Sequence, residues 1–191
     1  MQSFGNTIIP VEKGELASGL FGNGRMAEPD QILQFVNDNF FLSKPLAGKK
    51  VLVTAGPTYE AIDPVRFIGN HSSGKMGIAI AKELYRWGAD VSLILGPSAI
   101  NFSTNGIHLI RVNSANEMYN ACHEIFEQTD LSIMAAAVAD YTPVAKADQK
   151  IKKNDTVFNI EMTKTKDILK SLGEKKKKRT DTGWLCAGNS Q

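Results

Sequence analysis

From Lys50 onward, short apolar runs alternate with stretches whose apolar residues recur at helical spacing. Val51–Ala55 is a compact apolar run of the kind a strand shows when it is buried on both faces of a parallel sheet. Ile78, Ala81, Leu84 and Tyr85 predict a helix that ends near Gly88. Val91–Leu95 and Ile107–Val112 read as second and third strands, and Leu131–Val138 as a further central strand closed by Asp140-Tyr141-Thr142-Pro143. Ser114-x-x-Glu117 is a capping box, opening a helix with Met118, Ala121, Cys122, Ile125 and Phe126 inward. Val157–Met162 supplies one more candidate strand and Asp167–Leu172 a short helix, while Gly56–Ser73 reads as a long loop. This order predicts a doubly wound α/β fold: a mainly parallel, Rossmann-like sheet with helices on both faces.

Upstream the pattern is different. Residues 1–29 are rich in Gly and polar residues and hold too little apolar material for a core. Asp30 is expected as the N-cap or first-turn acid of a helix with Ile32, Val36 and Phe40 on one face. Ser43-Lys44-Pro45-Leu46-Ala47-Gly48 breaks that helix, so a division into residues 1–42, a linker at 43–49 and a domain at 50–191 is expected.

Composition excludes more than it selects. A 42% hydrophobic and 22% charged chain with a net charge of +2 is an ordinary globular sequence with no case for a nucleic-acid partner. The basic run Lys175–Arg179 reads as a solvated loop. Cys122 and Cys186 lack metal-ligand spacing and form no disulfide framework. The apolar run Ile133–Ala139 is too short to span a membrane, and the cytoplasm is the expected compartment.

The chemistry concentrates in Asn70-His71-Ser72-Ser73-Gly74-Lys75-Met76-Gly77, a Gly-rich turn leading into a helix. Unpaired N–H groups and the helix dipole make such a turn a phosphate site. Gly69-x4-Gly74-Lys75 begins like a Walker A loop, but Met76 stands where the Mg²⁺-binding hydroxyl should be. Gly74 and Gly77 also read as simple close packing of helix on sheet. A dinucleotide site is disfavoured, because the second strand ends Leu95-Gly96-Pro97 without the acid a ribose needs. Asn70 suits stabilisation of a developing oxyanion or merely forms a turn, and His71 reads as structural. Asp140 follows the apolar run Ile133–Ala139, where a strand end and a row of small alanines admit a flat ring, or it shapes a turn. Lys150-Ile151-Lys152-Lys153 offers mobile charge for a triphosphate, or a solvated strand edge.

Together, Val53-Thr54-Ala55-Gly56-Pro57-Thr58, Asp63-Pro64-Val65-Arg66, the Asn70–Gly77 turn, Ala135–Tyr141, Lys150–Lys153 and Lys164-Thr165-Lys166-Asp167-Ile168-Leu169 resemble the phosphopantothenate–cysteine ligases (phosphopantothenoylcysteine synthetases). These form the carboxy-terminal half of a bacterial bifunctional coenzyme A biosynthesis flavoprotein. The resemblance implies a CTP-dependent ligase in which the carboxylate of 4′-phosphopantothenate attacks the nucleotide α-phosphate with Mg²⁺, giving an acyl-cytidylate. The amine of cysteine then displaces CMP. On that resemblance Asn70 serves amide formation and Lys150 the nucleotide phosphates. Gly74, Lys75, Met76 and Gly77, with Met134, Ala135, Ala136, Asp140 and Lys164, Thr165, Lys166 and Asp167, hold the nucleotide. A homodimer is also implied.

Gly14–Gly19 and Gly22–Met26 resemble the closing segment of the flavin-dependent decarboxylase half. Ser18 stands where relatives often carry a catalytic Cys, and FMN is expected only with a decarboxylase domain that this chain lacks. At the other end, Gly183-Trp184-Leu185-Cys186-Ala187-Gly188-Asn189 departs from the Val-Gly-Phe-Ala-Leu-Glu-Thr that the resemblance calls for. Written as GGT TGG CTT TGC GCT GGA AAC and shifted by one base, it reads Val-Gly-Phe-Ala-Leu-Glu. A shifted frame and an incomplete ligase domain are therefore expected, with an inactive nucleotide-binding remnant as the alternative reading.

Overall fold

The computed structural model describes residues 2–16, 18–41, 44–103, 106–152 and 158–175. The chain falls into two units, residues 1–43 and 44–191. In the first, β1 (Glu12–Glu15) and β2 (Phe21–Arg25) form an antiparallel hairpin. Helix α1 (Pro29–Val36) follows, its start closed by the Gln31 side chain accepting from the Glu28 N–H at 3.0 Å. Asp30 thus lies in the first turn and Glu28 is the cap. A π-helical turn, Asn37–Phe41, widens the spiral and takes Phe40 off the predicted stripe. No residue of α1 is buried.

The second unit is built on four parallel strands, β3 (Lys50–Ala55), β6 (Asp90–Leu95), β7 (Ile107–Arg111) and β8 (Leu131–Met134), in the order β7-β6-β3-β8. Alternate side chains of β3 feed two cores. Val51, Val53 and Ala55 meet α2 (Lys75–Arg86) through Ile78, Ala81 and Leu84. Leu52 joins Met118 and Cys122 of α3 (Ala115–Ile125) and Leu172 of α4 (Ile168–Lys175) on the opposite face. Both faces of the sheet are therefore covered by helices, as the alternation predicts. Strand order runs outward from β3 to β7 and then returns to β8, so the switch point lies between the carboxyl ends of β3 and β8.

Three local expectations are corrected. The supposed loop 56–73 contains an antiparallel hairpin of β4 (Tyr59–Ala61) and β5 (Phe67–Gly69), with the Tyr59 and Phe67 rings stacked at 4.0 Å. Strands of three residues are too short to show a period of two. The strand expected at Leu131–Val138 keeps its regular ladder only to Met134: Gly56, at φ 80°, breaks the extended run of its partner β3, and a single parallel bridge between Pro57 and Ala137 follows. The expected strand at Val157–Met162 is displaced: residues 153–157 lie outside the described residues, and β10 is Met162–Lys164, antiparallel to β9 (Tyr141–Pro143), which had been read as a turn. The capping box also differs in detail. Ser114 Oγ accepts from the Glu117 N–H at 3.2 Å, while Glu117 Oε2 takes the Asn113 N–H at 2.7 Å.

Burial of Cys122 pushes its thiol up to about 12, in keeping with a core role. Cys186 and the departure at Gly183–Asn189 lie outside the described residues.

A β-carbon on Gly77 would lie 2.5 Å from Ala55 Cβ and 3.1 Å from Thr54 O. Gly77→Ala is expected to lower stability by about 1–3 kcal/mol through overpacking, read as a lower urea midpoint at unchanged slope.

Candidate functional site at the carboxyl edge of the sheet

Beyond the ends of β3 and β8 the main-chain pairing continues irregularly, the Ala135 N–H donating to Thr54 O at 3.2 Å and the Ala137 N–H to Gly56 O at 2.8 Å, and side chains take N–H groups that this pairing leaves over. Thr54 Oγ1 accepts from the Ala136 N–H at 3.3 Å, and Thr58 Oγ1 from the Ala139 N–H at 2.9 Å. Thr165 Oγ1 donates to Ala139 O at 2.7 Å, and the Thr165 N–H donates to Asp140 O at 2.9 Å. Thr54 and Thr58 are buried, so satisfied hydroxyls hold this backbone in place. Sequence reasoning assigned neither a role; the signal was one hydroxyl inside an otherwise apolar strand and a second just past the Gly56-Pro57 turn that ends it.

This segment divides two cavities of about 600 and 610 Å³. Met134, Ala136, Asp140, Lys164, Thr165, Lys166 and Asp167 line the first. Gly74, Lys75, Met76 and Gly77 line the second with His71, Ala135 and Ala136. The predicted nucleotide residues thus fall into two groups that share Ala136. Lys150 is exposed and lines neither.

Gly74 caps α2 at φ 77°, with room for no β-carbon, since Gly56 N would lie 3.1 Å away. Ser72 Oγ accepts from the Gly74 N–H and Ser73 Oγ from the Lys75 N–H, each at 3.3 Å. The helix start therefore presents its dipole and its next N–H groups to the second cavity. Gly77 packs directly on β3, as the close-packing reading of these glycines expects.

Asn70 Nδ2 donates to Val138 O at 3.0 Å and more loosely to Ala137 O at 3.5 Å. Asn70 lines neither cavity. Lys166 Nζ donates to Asn116 Oδ1 at 3.1 Å and stands 4.8 Å from the Tyr119 ring centre. Asp167 Oδ1 accepts from the Lys170 N–H at 2.8 Å and so caps α4.

Two acids unsuspected as buried groups tie the β4–β5 hairpin down. Glu60 Oε1 accepts from the Ala115 N–H at 2.8 Å, at the positive end of α3. Asp63 Oδ1 accepts the N–H groups of Val65 and Arg66, each at 2.8 Å. Its Oδ2 takes the Arg66 guanidinium, through Nε at 2.9 Å and through Nη2, together with the Ile151 N–H at 3.1 Å. The Arg66 guanidinium and these main-chain donors outweigh desolvation and hold the Asp63 carboxyl well below its ordinary range. Among the described residues no cluster of three or more His, Cys, Asp or Glu could hold a metal ion.

The fold and this edge define a Rossmann-like α/β domain with a phosphate-type turn beside a cleft at the switch point. Comparison with known proteins gives the family: residues 46–187 match the DNA/pantothenate metabolism flavoprotein C-terminal domain, and the chain belongs to that family. It is 44% identical over 184 residues to the coenzyme A biosynthesis bifunctional protein CoaBC of Bacillus subtilis (strain 168), covering 95% of this chain and 45% of that protein. It is 48% identical over 182 residues to a cysteine/cysteine sulfinic acid decarboxylase of an unknown prokaryotic organism, covering 93% of this chain and 51% of the relative. The chain thus spans about half the length of these curated relatives. A crystal structure of the C-terminal domain of CoaBC superposes with a TM-score of 0.61 at 46% identity, over 71% of this chain and 63% of that one. No helix among the described residues is long and apolar enough to cross a membrane.

Asp63 generates a pH signature. Its folded carboxyl is held below the ordinary 3.8, so the unfolded chain binds the extra proton as pH falls past that value. Its contribution to stability is complete above pH 3.8 and is lost on descent toward the lowered folded value. Asp63→Asn is expected to flatten the fall in stability below pH 3.8, measured by urea unfolding across acid pH.

Proposed function

We propose that the domain ligates 4′-phosphopantothenate to cysteine at the expense of CTP, in coenzyme A biosynthesis. The observation that carries this reading is the pair of cavities meeting at Ala136, one beside a phosphate-type helix start and one lined by Lys164–Asp167. Such an arrangement lets a nucleotide and a phosphorylated acid approach one stretch of backbone from opposite sides. The carboxylate attacks the α-phosphorus, the bond to the β-phosphate breaks, and pyrophosphate leaves. The cysteine amine then attacks the acyl carbon and CMP departs with its oxygen. Charge develops on phosphoryl and acyl oxygens, so fixed donors and cations supply most of the stabilisation.

In this reading Met134–Ala136 and Asp140 hold the base and ribose. Lys164, Lys166 and Lys150 meet the phosphates, and Asn70 serves the amide-forming step. Mg²⁺ would arrive on the nucleotide phosphates with its waters, as that ion commonly does, rather than in a protein cage. The enzyme would work in the cytoplasm as a homodimer.

The purified protein is expected to release pyrophosphate from CTP and Mg²⁺ only when 4′-phosphopantothenate is present. Lys150→Ala should reduce that release about 10²–10³-fold, and Asn70→Ala should reduce amide formation on adding cysteine by a similar factor. Folded protein that binds CTP yet releases no pyrophosphate would rule out the ligase reading.

A further inference from the structure

The peptide after Lys150 is gripped from both sides. Asp63 Oδ2 accepts the Ile151 N–H at 3.1 Å, and Arg66 Nη2 donates to Ile151 O at 2.9 Å. The two gripping side chains are themselves joined, carboxylate to guanidinium, and Asp63 is further fixed by the Val65 and Arg66 N–H groups. The Asp63 side chain is 0% exposed although it is charged. Removing a carboxylate from water is costly, and five donors aimed at its two oxygens offset that cost. A second anchor lies four residues earlier, where the Ala147 N–H donates to Ile62 O at 3.0 Å. On the far side, the Arg66 guanidinium stands 5.5 Å from the Phe158 ring centre.

Turn 62–66 of the hairpin therefore carries the segment 147–151 as a β-strand carries its neighbour, but through side chains. The same hairpin runs through β5 straight into Asn70, which is bonded to Val138 O. Lys150 and Asn70, 80 residues apart in sequence, are thereby referenced to one rigid piece.

We propose that Asp63 is a positioning residue for Lys150: with Arg66 it clamps the Ile151 peptide and so fixes where the Lys150 ammonium can reach. This rests on the ligase reading for what Lys150 does, though not for the clamp itself. An exposed lysine on an untethered loop would sample many directions, and loss of alignment by about 1 Å can cost about 10²-fold in rate.

Two variants test it. Asp63→Asn keeps the shape and the Oδ1 acceptor but places an amide donor before the Ile151 N–H and the guanidinium. Ile151→Pro removes the clamped donor and leaves the Asp63–Arg66 pair untouched. In the full chain, trypsin cleavage at Lys150 and Lys152 in Asp63→Asn, and at Lys152 in Ile151→Pro, is expected to quicken about tenfold or more while cleavage elsewhere is unchanged. In the CTP-dependent pyrophosphate assay, Asp63→Asn should lower kcat about 10- to 100-fold with little change in KM for CTP. The same substitution in a Lys150→Ala background should cost nothing further.

Unaltered cleavage in both variants would overturn the clamp. An equal loss with and without Lys150 would overturn its action through that lysine. Absence of pyrophosphate release by the wild-type chain counts against the ligase reading alone, and the proteolysis result then decides the clamp by itself.

Discussion

A β-carbon added to Gly77 would sit 2.5 Å from that of Ala55, so at this point the backbone of α2 lies directly on β3. That contact sets the height of the helix above the sheet and, with it, the position of the helix start relative to the strand ends. Gly56 and Gly74 continue the approach, main chain against main chain. Any spacer here would lift the first turn of α2 away from Ala135 and Ala136 and open the second cavity into a shallow groove. The phosphate-type turn is therefore less a motif laid on the fold than a consequence of how closely two backbones are allowed to pack.

Close backbones bring polar groups into the core, and the sequence meets that demand with short side chains. Where β8 loses its ladder at Met134, Thr54 and Thr58 take over the Ala136 and Ala139 N–H groups. Glu60 satisfies the first turn of α3, and Asp63 satisfies its own turn and a distant peptide. An unpaired buried N–H costs as much as a lost hydrogen bond. Thr54 and Thr58, with the main-chain bond from Ala137 to Gly56, thus hold an irregular stretch of backbone next to the sheet, lined by cavities on both sides.

How much of this was legible in the sequence followed the length of each signal. The four sheet strands and the helices α2 and α3 announced themselves because each repeats its period several times, as Ile78, Ala81 and Leu84 do. The hairpin did not, since three residues per strand carry no period and its stability comes from Glu60, Asp63 and the Tyr59–Phe67 stack. Strand β8 was read too long because Ala135–Val138 is as apolar as the strand before it. What ends the regular ladder is the left-handed backbone of its partner at Gly56, a tertiary event. For the candidate site, the sequence names the chemistry, glycines, lysines and Asp140, whereas the division of these candidates between two cavities depends on which side of one backbone each stands.

That division shapes the electrostatics of the edge. A net charge of +2 gives the whole molecule almost no long-range pull on a triphosphate. Charge at this edge is local instead: the dipole of α2 on one side, and Lys164 and Lys166 beside Asp140 and Asp167 on the other. Lys166 is partly committed to Asn116 and the Tyr119 ring, which limits how far its ammonium can roam. A dipole fixed in backbone and a lysine held by its neighbours need little rearrangement when an anion arrives, and that is the condition under which modest charge stabilises strongly. Lys150 is the exception, exposed and outside both cavities, so its usefulness depends on the one peptide that Asp63 and Arg66 hold.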